Sequence, residues 1–365
     1  MRHALPDRAP PKETMSIAFL PPPVGNLYQA ALGVRWMRAP LPFALDHVNV
    51  WLLEDGERTV VVDTGMDNPA NREAWDHLLS SHGGLAAGGR IEVLVTHMHV
   101  DHVGMAGALV DRLGAQLHMT EGEYESVRRA VLEASQALPP RARHSFFRAA
   151  GWPDAAIAEP SLLQGGYLQS VSPLPHHYSR LRDGDTVMAA STSWEVIAGS
   201  GHSPEHACLY SEERRLFISG DQVLPRISSN VSVTFHEPEA NPMQGWLDSI
   251  AMLRERVADD VLVLPAHHLP FKGLHDRLDQ LEAGQHAALD RLRDALSAPL
   301  RIVDTFVPLF RRVIDHGVEL ELATGEAAAC LNYLMHRGEA IKERGADGVD
   351  RYRLREGSAS PLDAG

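Results

Sequence analysis

The stretch from residue 96 to residue 102 concentrates side chains that can bind metal ions. It reads Thr-His-Met-His-Val-Asp-His, and four of its seven residues, His97, His99, Asp101 and His102, carry an imidazole or a carboxylate. Metal binding needs several lone-pair donors that converge within about 2.0–2.2 Å of one point. A single histidine is usually a surface or core residue, but four such groups on one turn are hard to explain that way. The stretch therefore predicts a metal site, with His97 and His99 facing one ion and Asp101 and His102 reaching a second centre.

Short apolar strands are expected to position these side chains together with three later ones. Residues 91–95 predict a nearly all-apolar strand, of the kind buried on both faces, that leads directly into the motif. His202, Asp221 and His267 each follow another strand candidate. Each of these three alone would be typical of a polar loop. Together and in this order, they complete a set of seven candidate ligands.

The order of these motifs resembles that of the metallo-β-lactamase superfamily. The matching motifs are VVDTG with Asp63, then HMHVDH, GSGHS, SGD and PAH, and they cover residues from about 45 to 270. The resemblance implies an α/β protein with the αββα sandwich of that superfamily. The motifs are highly specific for the fold and poorly specific for the substrate. A helix is expected over about residues 103–113. Residues 121–180 are expected to form a helical insertion that lies over the site, with its helices broken by Pro139-Pro140, Pro153, Pro160 and Pro173. Residues 176–178 of the insertion are candidates either for substrate contact or for a surface loop.

The same resemblance implies a role for each candidate residue. Three histidines would bind the first metal ion, an aspartate and two histidines the second, and one aspartate would bridge both. In that order, the residues are His97, His99 and His202, then Asp101, His102 and His267, and finally Asp221. Asp101 would also orient the attacking water and is the predicted catalytic residue. Asp63, His206 and His268 would lie just outside the ligands and orient them by hydrogen bonding.

Two motifs depart from the superfamily pattern. The last ligand motif is usually Pro-Gly-His-Gly, whereas this chain has Pro-Ala-His-His. His267 matches by position, but His268 could compete with it. The motif around His202 ends in serine where threonine is usual, and His206 follows it. We expect His206 to be a supporting residue and not a ligand.

Zinc is the expected metal for this mixture of nitrogen and oxygen ligands, although a bridging carboxylate also suits iron or manganese. Two divalent ions could share a hydroxide that attacks an acyl carbonyl. The leading hypothesis for the substrate is a thioester of the acyl-CoA or glutathione type, held under the apolar insertion. The alternatives are a lactonase or other ester hydrolase, an endoribonuclease and a β-lactamase. A non-catalytic metal scaffold is disfavoured because the ligand set is complete.

Charge and motif details rank these alternatives. The net charge is -14, and residues 301–365 hold 9 basic against 11 acidic side chains. A nucleic-acid platform should be basic, so nucleic acid is not the expected partner. Asp221 argues against a β-lactamase, because those members tend to lack an acidic bridging residue there. A small-molecule acyl substrate remains, although the aromatic residues of the insertion are equally well explained as its own core.

The 365 residues predict one large and one small domain. Residues 1–25 would be a loosely ordered lead-in, 26–298 the catalytic domain, and 299–365 a winged-helix-like domain ending in a hairpin. The two cysteines exclude a disulfide framework and favour a reducing compartment. No apolar run is long enough for a signal segment or a membrane span. We therefore expect a cytoplasmic protein without membrane contact, and the sequence leaves a homo-oligomer open.

Overall fold

The computed structural model describes residues 21–42, 45–81, 85, 89–135, 141–158 and 162–356, with the backbone alone for residues 162–165. Most of the predicted lead-in, the Pro139-Pro140 and Pro160 breaks of the predicted insertion, and residues 357–365 lie outside the described residues. In the described part of the chain, no helix combines the length and apolar character that crossing a membrane requires.

The strands of the described residues form two large sheets and a hairpin. In chain order, β1 to β14 are Leu27–Ala31, Val34–Pro40, His47–Glu54, Arg58–Val62, Arg90–Leu94, Gln116–Thr120, Ser179–Leu181, Thr186–Ala189, Thr192–Gly199, His206–Ser211, Leu216–Gly220, Leu262–Pro265, Ala340–Arg344 and Asp350–Leu354. The first sheet runs β1 to β7 in chain order, and the second has the order β12-β11-β10-β9-β8. Strands β13 and β14 pair with each other.

Helices cover the outer faces of both large sheets. Within the described residues, α1 to α11 are Pro69–Ser80, Val100–Val103, Ala106–Leu113, Glu121–Ala134, Arg141–Ala150, Asp154–Ala158, Leu162–Ser170, Pro242–Arg256, Leu274–Ala295, Phe306–Phe310 and Gly317–His336. A 3-10 turn at Ile302–Thr305 precedes α10. Buried side chains of α1, α3 and α4 pack on the first sheet, and those of α8, α9 and α11 pack on the second.

The alternating side chains of each strand explain the four layers. In β3, Val50 and Leu52 face the cluster under α1 and α3, whereas Trp51 and Leu53 face the cluster between the two sheets. A strand with apolar layers on both sides has no solvent face, so it reads as a continuous apolar run. The central strands can be predicted from the sequence for this reason, and the αββα sandwich that they form is confirmed.

Two local predictions differ from the structure. The helix predicted over residues 103–113 is interrupted, since α2 ends at Val103 and α3 begins at Ala106. Gly104 between them packs so closely that a Cβ would lie 2.6 Å from the backbone of both Asp67 and Ser170. The predicted insertion does not stay helical to residue 180, since β7 pairs in parallel with β6 and becomes the edge of the first sheet. Hydrogen bonding to a sheet edge outweighs the polar, Pro-rich local sequence.

The C-terminal helices and hairpin appear in the predicted order. Leu289 and Leu292 of α9 share a buried cluster with Leu331 and Leu334 of α11, so apolar packing crosses the predicted boundary at residue 298. The division into domains and the winged-helix description both stay predictions.

Candidate metal centre

The candidate side chains follow strand ends that meet at one edge of the sandwich. Asp63 follows β4, His97 follows β5, His202 follows β9, Asp221 follows β11 and His267 follows β12. Because the two sheets are stacked, these ends come together from both sides. All seven predicted ligands fall into three overlapping groups, in each of which the ligand atoms lie within 4.8 Å of one another.

Three imidazole nitrogens meet in the first cluster, which we define as His97, His99 and His202. Nε2 of His97 lies 2.9 Å from Nδ1 of His99 and 3.2 Å from Nε2 of His202. The nitrogens of His99 and His202 are 3.0 Å apart. Donor atoms around a tetrahedral zinc ion are about 3.3 Å from one another, so this spacing suits one metal ion.

Hydrogen bonds on the far side of two of these rings fix their protons. Nδ1 of His202 donates to the backbone oxygen of Asn230 at 2.7 Å, because a carbonyl can only accept. The hydroxyl of Thr96 donates to Asp63, so its oxygen accepts from Nδ1 of His97 at 3.0 Å. In the neutral form of either ring, Nε2 then carries the lone pair. Two lone pairs that face each other need a cation between them.

The second cluster, which we define as Asp101, His102 and His267, repeats this arrangement with a carboxylate. Nδ1 of His102 donates to Oδ2 of Asp63 at 2.8 Å, and Nδ1 of His267 donates to the backbone oxygen of His47 at 3.0 Å. The free Nε2 atoms of the two rings lie 3.5 Å and 3.3 Å from Oδ2 of Asp101. The two rings thus direct their Nε2 atoms toward the same carboxylate.

Asp221 lies between the two clusters. Its carboxylate oxygens are 3.5 Å from Nε2 of His202, 3.6 Å from Nε2 of His102 and 3.5 Å from Nε2 of His267. Oδ1 of Asp221 and Nε2 of His102 are buried and have no hydrogen-bond partner among the described residues. A buried polar atom without a partner costs about 1–3 kcal/mol. This set of nitrogen and oxygen donors fits two neighbouring divalent ions with Asp221 shared between them.

The pKa directions separate the two clusters. Burial lowers the pKa of His97 well below its ordinary value, and burial also lowers the pKa of His99, to about 3. Burial alone would lower the pKa of His102, but the carboxylates of Asp101, Asp63 and Asp221 outweigh it and raise that pKa well above its ordinary value. The neutral form is therefore favoured for His97 and His99 of the first cluster, whereas the charged form is favoured for His102 of the second.

Asp63 supports both clusters from a strained backbone position. Its φ of 62° lies in the left-handed region, which is unfavourable for a residue with a Cβ. Its Oδ1 accepts the backbone N–H of Thr96 at 2.8 Å, and its Oδ2 accepts from His102. These bonds hold the strained residue in place. They also fix the direction of the Asp63 carboxylate that bonds to His102.

The glycine of the Ser-Gly-Asp motif allows a histidine ring to lie close to the backbone. Gly220 has a φ of +51°, and a Cβ there would lie 2.4 Å from Cε1 of His206. Nε2 of His206 accepts the backbone N–H of Asp221 at 3.1 Å, so His206 supports the residue between the clusters and is not in any ligand group. The Ser-Gly-Asp motif thus needs glycine because a histidine ring packs against it.

The Pro-Ala-His-His motif is held by a residue that the sequence reasoning missed. Nδ2 of Asn49 donates at 2.8 Å to the backbone oxygens of both Pro265 and His268, tying β3 of the first sheet to the loop after β12. This places the ring of His267, and not that of His268, in the cluster. A fully buried asparagine inside an otherwise apolar strand was the available signal.

Family comparison agrees with this geometry. The model described as "Metallo-beta-lactamase superfamily" matches residues 44–268, and the model described as "Metallo-beta-lactamase-like, C-terminal domain" matches residues 289–355. The chain belongs to the metallo-β-lactamase superfamily. It is a hydrolase of this superfamily, and the first matched region spans every candidate ligand. Members of the superfamily usually bind divalent metal ions, which agrees with the donor set.

Curated relatives of this superfamily member are enzymes at modest identity. A probable metallo-hydrolase, YqjP, of Bacillus subtilis is 24% identical over 82% of this chain and 91% of its own length. A hydroxyacylglutathione hydrolase of Pseudomonas entomophila is 28% identical over 60% of this chain and 76% of its own length. A human acyl-coenzyme A thioesterase, MBLAC2, is 28% identical over 52% of this chain and 63% of its own length.

A solved structure shows the same architecture over most of the chain. The crystal structure of a beta-lactamase domain protein from Burkholderia ambifaria superposes with a TM-score of 0.81 and 39% identity. The match covers 93% of this chain and 96% of the other. The shared architecture therefore extends beyond the sandwich into the C-terminal part of the chain.

Glu123 and Tyr167 join the insertion to the ligand loops, and sequence reasoning missed both. The carboxylate of Glu123 accepts the backbone N–H groups of Met98 at 2.8 Å and Glu205 at 2.7 Å. The hydroxyl of Tyr167 donates to the backbone oxygen of Met98 at 2.6 Å. Burial raises the pKa of Glu123. In the sequence both residues look like ordinary helix positions, because their partners are backbone groups distant along the chain.

A cavity of about 600 Å³ opens beside the first cluster. His99 and His202 form part of its wall, and α4, α5, α7, α11 and the loops after β5, β9 and β11 form most of the rest. Its larger apolar lining residues are Met98, Phe146, Phe147, Tyr167, Val233, Phe235 and Leu322. The insertion therefore lies over the site, as expected. Residues 176–178, considered in the sequence as substrate contacts, do not line the cavity.

Proposed function

We propose that the chain hydrolyses a thioester of the acyl-CoA or glutathione type, using two divalent metal ions. The observation that carries the proposal is that four oriented imidazoles and two carboxylates converge beside a largely apolar cavity. The first cluster would bind one ion, the second cluster the other, and Asp221 both. Zinc suits these donors best, while iron and manganese are compatible with the carboxylates.

When bound, two such ions supply Lewis acidity and lower the pKa of a shared water toward 7. Asp101 would be the catalytic residue of the chain itself. His102 and His267 keep its carboxylate ionised, against the effect of burial, which would raise its pKa. Its side chain is 20% exposed, so an oxygen can accept a hydrogen bond from water and aim that water at a carbonyl in the cavity.

The leaving group is the reason to favour a thioester. Three polar groups of the cavity wall are already paired: His236 with Glu133, Arg143 with Glu321, and the Tyr167 hydroxyl with a backbone oxygen. A thiolate can depart without receiving a proton, whereas an amine or alkoxide needs an acid or a metal contact. The apolar wall suits an acyl group. Two of the relatives, a hydroxyacylglutathione hydrolase and an acyl-coenzyme A thioesterase, support the same substrate class.

Metal analysis tests the proposed centre directly. Protein purified without chelator should contain close to two divalent ions per chain, and His97→Ala should contain fewer. A content below one ion per chain, unchanged by His97→Ala, would exclude the assignment of ligands.

A substrate panel tests the proposed reaction. It compares acyl-CoA and glutathione thioesters, lactones, nitrocefin and single-stranded RNA, each with and without chelator. Thioesters should be the fastest substrates and should lose turnover with chelator. Metal-dependent RNA cleavage without thioester hydrolysis would show that the endoribonuclease alternative is correct.

We also infer that residues 299–365 form a winged-helix-like domain whose role is to complete the cavity. Glu321, Leu322 and Gly325 of α11 supply part of the cavity wall. Nucleic-acid binding is not needed to explain this domain, since its acidic side chains outnumber its basic ones.

A further inference from the structure

A chain of hydrogen bonds connects α11 to the first cluster. Oε2 of Glu326 accepts from Nδ2 of Asn230 at 2.8 Å, and the backbone oxygen of Asn230 accepts from Nδ1 of His202 at 2.7 Å. Glu326 and His202 are 124 positions apart in the sequence. The link therefore exists only because α11 packs beside the loop that carries Asn230.

Side chains and helices, and not a sheet, hold this loop. Residues 221–241 form neither a helix nor a strand, so no ladder of backbone bonds sets the position of the Asn230 carbonyl. Arg277 of α9 holds the first part of the loop, and α11 contacts the part around Asn230. The backbone N–H of Val233 donates to the carbonyl of Gly325 at 3.0 Å, and a Cβ on Gly325 would lie 2.8 Å from Ser232. The helix and the loop are thus in direct backbone contact next to Glu326.

Glu326 is unusual for a residue whose only task is packing. Burial raises its pKa to about 7, which shows that this carboxyl is in an unfavourable environment for its charge. Asn230 is the hydrogen-bond partner that offsets this cost. The side chain of Asn230 is in turn fixed from its other end, since Oγ of Ser232 donates to its Oδ1 at 2.5 Å. A side-chain amide held at both ends cannot rotate, and its backbone carbonyl keeps one direction.

We propose that Glu326 is a positioning residue of the metal centre, acting on His202 through Asn230. This rests on the proposed role of His202 as a metal ligand. The carbonyl of Asn230 keeps the proton of His202 on Nδ1 and directs the lone pair of Nε2 toward His97 and His99. Partners that orient a ligating histidine in this way typically change metal affinity by about 10- to 100-fold when removed. Glu326 acts through Asn230 and does not bond to His202 itself, so we expect its removal to lower the metal affinity by about tenfold, the lower end of that range.

The test compares Glu326→Ala with two matched variants in the full-length protein. Glu326→Gln keeps an oxygen that accepts from Asn230. Glu319→Ala removes an exposed glutamate of the same helix that pairs with Arg312. Zinc affinity is measured for each of the two sites by competition with a chelator of known affinity. Occupancy of the first cluster is followed with cobalt by its visible spectrum.

Glu326→Ala should weaken one of the two zinc sites about tenfold and leave the other within about twofold. The zinc affinities of Glu326→Gln and Glu319→Ala should both stay within about twofold of those of the unaltered protein. At saturating zinc, Glu326→Ala should lower kcat more than it raises KM, because the cavity wall is unchanged in chemistry. Equal zinc affinities for Glu326→Ala and Glu326→Gln would overturn the proposal.

Asn230→Ala provides a second route if Glu326→Ala folds poorly. It keeps the backbone carbonyl but removes the amide, so it should weaken the same zinc site by a similar factor. The double variant should be no weaker than either single variant, because both changes break one chain of bonds. Multiplicative losses would mean that the two residues act independently. Failure of the unaltered protein to bind two metals would refute the proposed function itself, which is a different result.

Discussion

The two clusters differ in what holds their histidines. In the second cluster, the partners of the rings are Asp63 and the carbonyl of His47, both adjoining central strands of the first sheet. In the first cluster, His202 depends on the carbonyl of Asn230, in a loop supported by α11. The second cluster also contains a carboxylate, which attracts a cation, whereas the first is made of three imidazole rings. We infer that the second cluster is the more rigid site and the first is the one that the rest of the chain can adjust.

Removing both metals should have the largest effect. When free metal exceeds Kd a thousandfold, each bound ion adds about 4 kcal/mol to the free energy of unfolding. Chelator should therefore lower the Tm markedly, in two steps, with the first cluster emptied at the lower chelator concentration. Thermal unfolding at increasing chelator measures this. A Tm that does not change would contradict the site, and the opposite order of loss would contradict the comparison of the clusters.

Asp221→Ala should be the most damaging single substitution, because Asp221 faces both clusters. Without its carboxylate, the two ions would repel each other across the gap. We expect the metal content to fall from about two to about one per chain and the activity to fall by more than about 100-fold. Asp248→Asn, at an exposed position of α8, is the control. Retention of two metals with near-normal affinity would show that Asp221 does not bridge them.

Asp63→Asn should act mainly on the second cluster. The new amide can keep its oxygen toward the N–H of Thr96, which turns its NH₂ group toward Nδ1 of His102. That would force the proton of His102 onto Nε2, where the lone pair is needed. We expect the affinity of one metal site to fall by about 10- to 100-fold. Metal titration of the variant measures this affinity. Equal weakening of both metal sites would contradict the claim that Asp63 acts mainly on the second cluster.

Thr96→Val should have a smaller effect, confined to the first cluster. The substitution preserves the shape of the side chain but removes the hydroxyl between Asp63 and His97. We expect a loss of about 1–2 kcal/mol in the free energy of unfolding and weaker binding at one metal site. Urea unfolding and zinc competition measure the two effects. If Thr96→Val weakens the same metal site as Asp63→Asn, then Thr96 and Asp63 support one cluster together and not one cluster each.

The sequence by itself determined the fold, and it predicted the set of candidate ligands. Short apolar strands that end in His or Asp specify their own geometry, because a strand with two buried faces must be apolar and its end must be a turn. The positions of His97, Asp221 and His267 at one edge of the sandwich follow from this pattern alone. The family comparison confirmed the superfamily, while the individual metal roles stay predictions.

Only the tertiary structure decided which residues support those ligands. The partners are mainly backbone groups or side chains far away in the chain: the carbonyl of His47 for His267, Asn49 for the loop after β12, and Glu123 for the N–H of Met98. Such contacts leave no periodic pattern, since a carbonyl oxygen is the same in every residue. The break at Gly104, the pairing of β7 and the packing of α11 against Asn230 have the same origin. Each of these features depends on contacts between segments that are distant in the sequence, so the local sequence does not predict it.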